Sequence, residues 1–90
     1  MADIQFKWKH LYARDEAKRR IEPSIAETAE SFGLRFQWNE NVCDFEGPAR
    51  GHIVVKDDTV EMAANLGFAA RLLKSTIERT IREEIDRALA

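Results

Sequence analysis

The chain has little of what covalent or metal chemistry requires. Its single cysteine, Cys43, excludes an intramolecular disulfide and a multi-cysteine zinc site. Its two histidines, His10 and His52, have no acidic partners at metal-ligand spacing on one helix face. Its four glycines are too scattered to form a phosphate-cradling loop. Ser24, Ser31 and Ser75 fall within helical patterns, with no base placed to activate them. No apolar run approaches the ~20 residues of a membrane-spanning helix. Residues 1–7 lack the apolar core of a signal peptide, so a cytoplasmic location is expected. Neither charge dominates: 14 basic residues against 16 acidic ones leave a formal charge of -2. Bulk attraction to nucleic acid or anionic lipid is therefore not expected.

Repeats, linkers and low-complexity stretches are also missing, and residues 1–90 read as one domain. A chain of 10.4 kDa is expected to fold to about 5,400 Å² of surface and bury about 64% of what it exposes unfolded. That allows one modest core.

What is present is a pair of hairpins with consistent side-chain faces. With Asp57-Asp58 as a two-residue turn, Val55 faces Val60, Ile53 faces Met62 and Gly51 faces Ala64. Val54 then pairs with Glu61, and His52 with Ala63, on the opposite, solvent face. With Glu40-Asn41 as a second turn, Trp38 faces Cys43 and Phe36 faces Phe45. A slip of one residue would scramble both patterns. Ile4, Phe6 and Trp8 alternate with Gln5, Lys7 and Lys9 as a further strand.

Two segments follow the helical period instead. Ala17, Ile21, Ile25, Ala29 and Phe32 recur every three or four residues from about Arg14 to Phe32. Pro23 interrupts that helix, so a kink or two short helices are expected there. Gly33 stands where a left-handed C-terminal cap belongs. From about Phe68, Leu73, Ile77, Ile81, Ile85 and Ala88 form a long stripe, widened by Leu72 and Leu89. Lys74/Glu78, Glu78/Arg82 and Glu83/Arg87 are spaced for stabilising ion pairs.

The element order is β-α-β-β-β-β-α. It predicts an α+β fold: a mainly antiparallel sheet of about five strands, packed on one face by a kinked N-terminal helix and a long C-terminal helix. The aromatics share the parity of Ile53, Val55 and Met62, which places them in the core rather than on a base-stacking surface. Lys18-Arg19-Arg20 reads as a solvated helix face. Arg50 and Arg71 are candidates for a second basic patch.

Three stretches together resemble a known family. Phe32-Gly33-Leu34-Arg35-Phe36-Gln37-Trp38 resembles its helix-to-strand junction. Ala49 to Val55, followed by Asp57-Asp58, resembles its central hairpin. Leu66-Gly67-Phe68-Ala69-Ala70-Arg71-Leu72-Leu73, with Ile77-Glu78, resembles the start of its final helix. The family is that of the small polyhydroxyalkanoic acid system proteins, bacterial and associated with polyester-storage genes. Pro23 and Gly47-Pro48 are local departures from it. The resemblance covers nearly the whole chain and supplies no catalytic residues. The element order also resembles a shortened helix-grip fold, in which larger lipid binders hold ligand between sheet and long helix. This chain has fewer strands with which to enclose one.

These readings imply a non-enzymatic accessory protein of polyhydroxyalkanoate storage, without metal or cofactor, binding a granule surface or a granule protein. Val54, Leu72 and Leu89 fit the core pattern least well and are the candidate interaction surface. The second reading is a small hydrophobic-ligand binder, with a pocket among Trp8, Trp38, Met62 and Ile77. A third is a homodimer formed along an open edge at the first or fifth strand.

Overall fold

A computed structural model describes residues 2–90. The strands are β1 (Ile4–Lys9), β2 (Arg35–Asn39), β3 (Val42–Glu46), β4 (Ala49–Val55) and β5 (Thr59–Leu66). The helices are α1 (Arg14–Phe32), α2 (Phe68–Arg71) and α3 (Lys74–Leu89). All strand pairs are antiparallel, in the order β1-β5-β4-β3-β2. Both hairpins have the register read from side-chain parity: Ile53 opposes Met62, Gly51 opposes Ala64, and Trp38 opposes Cys43. The reason is the period of two, since only this register puts Cys43, Phe45, Ile53, Val55, Val60 and Met62 together on the buried face.

Helices α1 and α3 pack on each other, α1 against β4 and α3 against β1, so one face of the sheet is covered. Ala17, Ile21, Ile25 and Ala29 are the buried stripe of α1, and Ile77, Ile81 and Ile85 that of α3. The folded surface is 5891 Å², somewhat above the ~5,400 Å² of a smooth protein of this mass.

Four expectations need correction. First, of the kink and the two short helices expected at Pro23, the two helices are not found: α1 runs through Pro23 as one helix. Pro23 is exposed, so the carbonyl that loses its donor, that of Arg19, lies on the solvent side where water can replace it. Second, the C-terminal helix is not continuous from Phe68. It breaks after α2, with Leu73 at φ -112° and ψ 19°, and no glycine or proline marks the break. Third, the fifth strand is internal, between β1 and β4, and the open edges belong to β1 and β2. Fourth, the charge pairs expected on the last helix are replaced. Arg87 bonds Glu84 at 3.0 Å, and the Arg82 guanidinium lies 5.0 Å from the centre of the Phe6 ring.

Two turns control the backbone. Gly33 caps α1 at φ 68°, while the Leu34 amide donates to the Ala29 carbonyl at 2.8 Å. Glu40 also has a positive φ, 57°, although it carries a side chain. Relieving that conformation with Glu40→Gly should raise stability by up to about 1 kcal/mol in urea unfolding. An unchanged or lower midpoint would show that Glu40 is not strained.

Candidate functional site

The sheet and the helices do not close completely. Between them lies a cavity of about 330 Å³, walled by Ile25, Ala29 and Phe32 of α1, Phe45, Ile53 and Met62 of the sheet, and Ile77, Ile81 and Ile85 of α3. Small side chains cause the gap. Ala49 and Ala64 line it from the sheet, and Ala29 and Ala70 from the helices. Protein interiors seldom leave voids of this size. Among the described residues, Thr28 and Ser31 bring the only side-chain hydroxyls to the wall, and no charged side chain lines it.

Phe36 and Leu73 belong to the wall yet are 40% and 58% exposed, so the cavity opens to solvent beside them. Just before Leu73 in the chain Leu72 is 79% exposed, and Phe68, at the start of α2, is 86% exposed. These two are four residues apart across the single turn of α2, on one side of it. Gly67 anchors that turn, its amide donating to the Pro48 carbonyl at 2.8 Å. The Leu66 amide donates to Asp3 Oδ2 at 2.8 Å, and Arg71 Nε lies 3.6 Å from the same oxygen. The amide bond first, and Arg71 after it, hold the Asp3 carboxyl below the usual range.

Met62 and Ile77, two of the pocket residues inferred from sequence, stand on the cavity wall. Trp8 and Trp38 do not. Trp8 packs against Phe6 with ring centres 5.2 Å apart, and Trp38 lies 4.9 Å beneath the Lys18 ammonium. Of the surface residues inferred from sequence, Leu72 is fully in solvent, whereas Leu89 packs partly buried against the core. Val54 lies on the outer face of the sheet, paired with Glu61, whose carboxylate meets Lys56 at 3.1 Å. Phe68, expected in the core with the other aromatics, and Leu73, expected on the helical stripe, are both exposed. The break after α2 releases Leu73, whereas Phe68, nine residues before Ile77, would face away from the stripe even on a continuous helix.

The basic residues singled out from the sequence each have a partner. Arg19 and Arg20 bind Glu16 at 2.7 and 3.1 Å, and Lys18 donates to the Glu40 carbonyl at 2.7 Å. Arg50 lies 3.8 Å from Glu46, while Arg71 lies 3.6 Å from Asp3.

His10 is buried, which its place after β1 did not foretell. Its Nδ1 accepts the Tyr12 amide at 3.2 Å, and its Nε2 meets the Lys56 carbonyl at 3.0 Å. That pattern requires the proton on Nε2 and leaves neither nitrogen free for catalysis. Cys43 is fully buried. Burial first, and Asp44 second, push its thiol from 9.0 up to about 11. It is therefore protonated and inert near neutrality. Because the folded value is raised, its contribution is intact below pH 9.0 and is lost as pH climbs toward 11. The stability difference between wild type and Cys43→Ala should fall by about 2 kcal/mol across that interval, read by urea unfolding. A pH-independent difference would show that the thiol ionises as freely folded as unfolded.

Among the described residues no three His, Cys, Asp or Glu side chains converge to hold a metal ion. No helix is long and apolar enough to cross a membrane. Comparison with curated proteins and with solved structures returns no match. The family described as polyhydroxyalkanoic acid system protein (PHA_gran_rgn) matches residues 4–89, nearly the full length and every element from β1 to α3. The chain belongs to the polyhydroxyalkanoic acid system protein family.

Proposed function

We propose that this protein is a non-enzymatic accessory factor of polyhydroxyalkanoate storage. It acts in the cytoplasm by docking on the polyester surface of the granule. The observation that carries this reading is the exposure of Phe68, Leu72 and Leu73 at one end of the fold. A 90-residue soluble domain gains nothing in stability from three large apolar side chains held in water. Laid on an apolar polymer, each would contribute up to about 1.5–3 kcal/mol. Family membership supplies the storage setting. The protonated Cys43 and the doubly bonded His10 support a role without catalysis.

Co-sedimentation with isolated polyhydroxyalkanoate granules tests it. Enrichment is expected both on native granules and on granules stripped of protein by detergent washing. Enrichment on native granules alone would replace the polyester with a granule protein as the partner. A fully soluble protein in both cases would end the docking account.

A further inference from the structure

The cavity has a chemistry of its own, although Leu73 belongs both to its wall and to the docking rim. It is a void of about 330 Å³ in a domain of only 90 residues. A buried water needs two to four polar partners, and the wall offers only the Thr28 and Ser31 hydroxyls. Water is thus a poor filling for most of it. At roughly 30 Å³ for each small group, as for liquid water, the space takes roughly ten non-hydrogen atoms. Its long walls are the isoleucines of α1, α3 and the sheet, a lining suited to an aliphatic chain.

Charge decides which aliphatic chain. No lysine, arginine or histidine lines the cavity. Arg35, Arg50, Arg71, Lys74 and Arg82 each adjoin a wall residue in the chain without lining the cavity; Arg35 and Arg50 face Glu46 at 2.9 and 3.8 Å, and Arg71 faces Asp3 at 3.6 Å. A carboxylate carried inside would lose its hydration with nothing to replace it. The two hydroxyls lie three residues apart on α1, hence on one side of the helix, and can each bond a neutral oxygen.

We infer that the cavity binds an uncharged, medium-length aliphatic chain ending in an ester or hydroxyl group, and that it rejects the ionised acid. This deepens the storage reading, because a polyester presents ester-linked aliphatic groups and its breakdown products present carboxylates. The inference does not require the rim to dock on granules.

The chain contains its own reporter. Of its seven isoleucines, Ile4, Ile25, Ile53, Ile77, Ile81 and Ile85 line the cavity and Ile21 does not. Methyl-labelled isoleucine spectra of the full chain should be recorded during titration with methyl octanoate, octan-1-ol and octanoate at neutral pH. The expected result is saturable shifts at the six lining methyls from the ester and the alcohol, with Ile21 still. Octanoate should bind at least about tenfold more weakly. Octanoate binding as tightly as its methyl ester would overturn the charge argument. Shifts that are absent, or that include Ile21 equally, would overturn the site. Ala29→Leu, which fills the cavity from the α1 side, should abolish the ester response while its spectrum stays folded. Granule binding by the rim is read separately, so a wild type that ignores granules yet binds the ester leaves this inference standing.

Discussion

Replacing Phe68 and Leu72 together with lysine should lower granule association at least tenfold, to order of magnitude, while leaving the fold intact. Both side chains are already in solvent, at 86% and 79% exposure. Their removal therefore takes no contact from the core, and thermal stability should stay within about 0.5 kcal/mol of wild type. On a polyester surface the effect reverses. Two apolar contacts are lost, and two ammonium groups must remain hydrated against a phase that cannot solvate them. Leu11→Lys is the control. Leu11 is fully exposed but lies between β1 and α1, away from α2, so its variant should bind as wild type does. Equal losses from Leu11→Lys and from the double variant would mean that general charge, not the α2 rim, governs association.

Gly51→Val should be among the most destabilising single changes in the chain. Gly51 lies in the middle of the sheet opposite Ala64. A Cβ there would stand 2.1 Å from the Ala63 carbonyl oxygen and 2.7 Å from the Ala64 Cα. Both obstacles are backbone of the neighbouring strand, so a rotamer change cannot relieve them. The strands must separate, and the β4–β5 ladder carries the connection between the two halves of the sheet. A cost of about 3 kcal/mol or more is expected, a large fraction of the stability of a small domain. In thermal unfolding that is a fall of roughly 15 °C. His52→Ala, one residue on and exposed, should stay near wild type. A Gly51→Val protein that melts within a few degrees of wild type would show that the sheet yields at this point.

Much of the fold is legible because it rests on short-range periodicity. The parity of Ile53, Val55, Val60 and Met62 fixes one hairpin, and that of Phe36, Trp38, Cys43 and Phe45 fixes the other. Gly33 announces its cap, since few other residues accept φ 68°. The sheet order is less visible. Nothing local in β1 says that it pairs with β5, and that pairing is what turns β5 from an edge into an interior strand. Pro23 was read by its local cost, which the exposed side of α1 absorbs.

The site is legible only in part, for a related reason. Met62 and Ile77 face the cavity because their period puts them inside, and the period is a local signal. Trp8 and Trp38 share the same parity but sit over other parts of the helical layer, near Phe6 and Lys18. Parity selects a face and not a position on it. The rim is partly visible. Leu72 is legible as a surface residue because it fits the stripe poorly, and Phe68, nine residues before Ile77, lies opposite the stripe by the same period; only Leu73 falls on the stripe and is exposed by the break after Arg71. The cavity leaves a compositional trace in retrospect: alanines at 29, 49, 64 and 70 occupy positions where a filled core would carry larger side chains.

The most direct test of the central claim is a hydrogen-exchange footprint of the full chain, free and bound to protein-stripped granules. In the free protein the amides of Phe68, Ala69 and Ala70 should exchange fastest in the Gly67 to Leu73 segment, since those of Gly67, Arg71, Leu72 and Leu73 are bonded and these three are not. On granules the account predicts slowed exchange concentrated in that segment, with the outer face of the sheet around Val54 unchanged. Protection centred on the sheet face, or no protection at all in a protein that co-sediments, would contradict it.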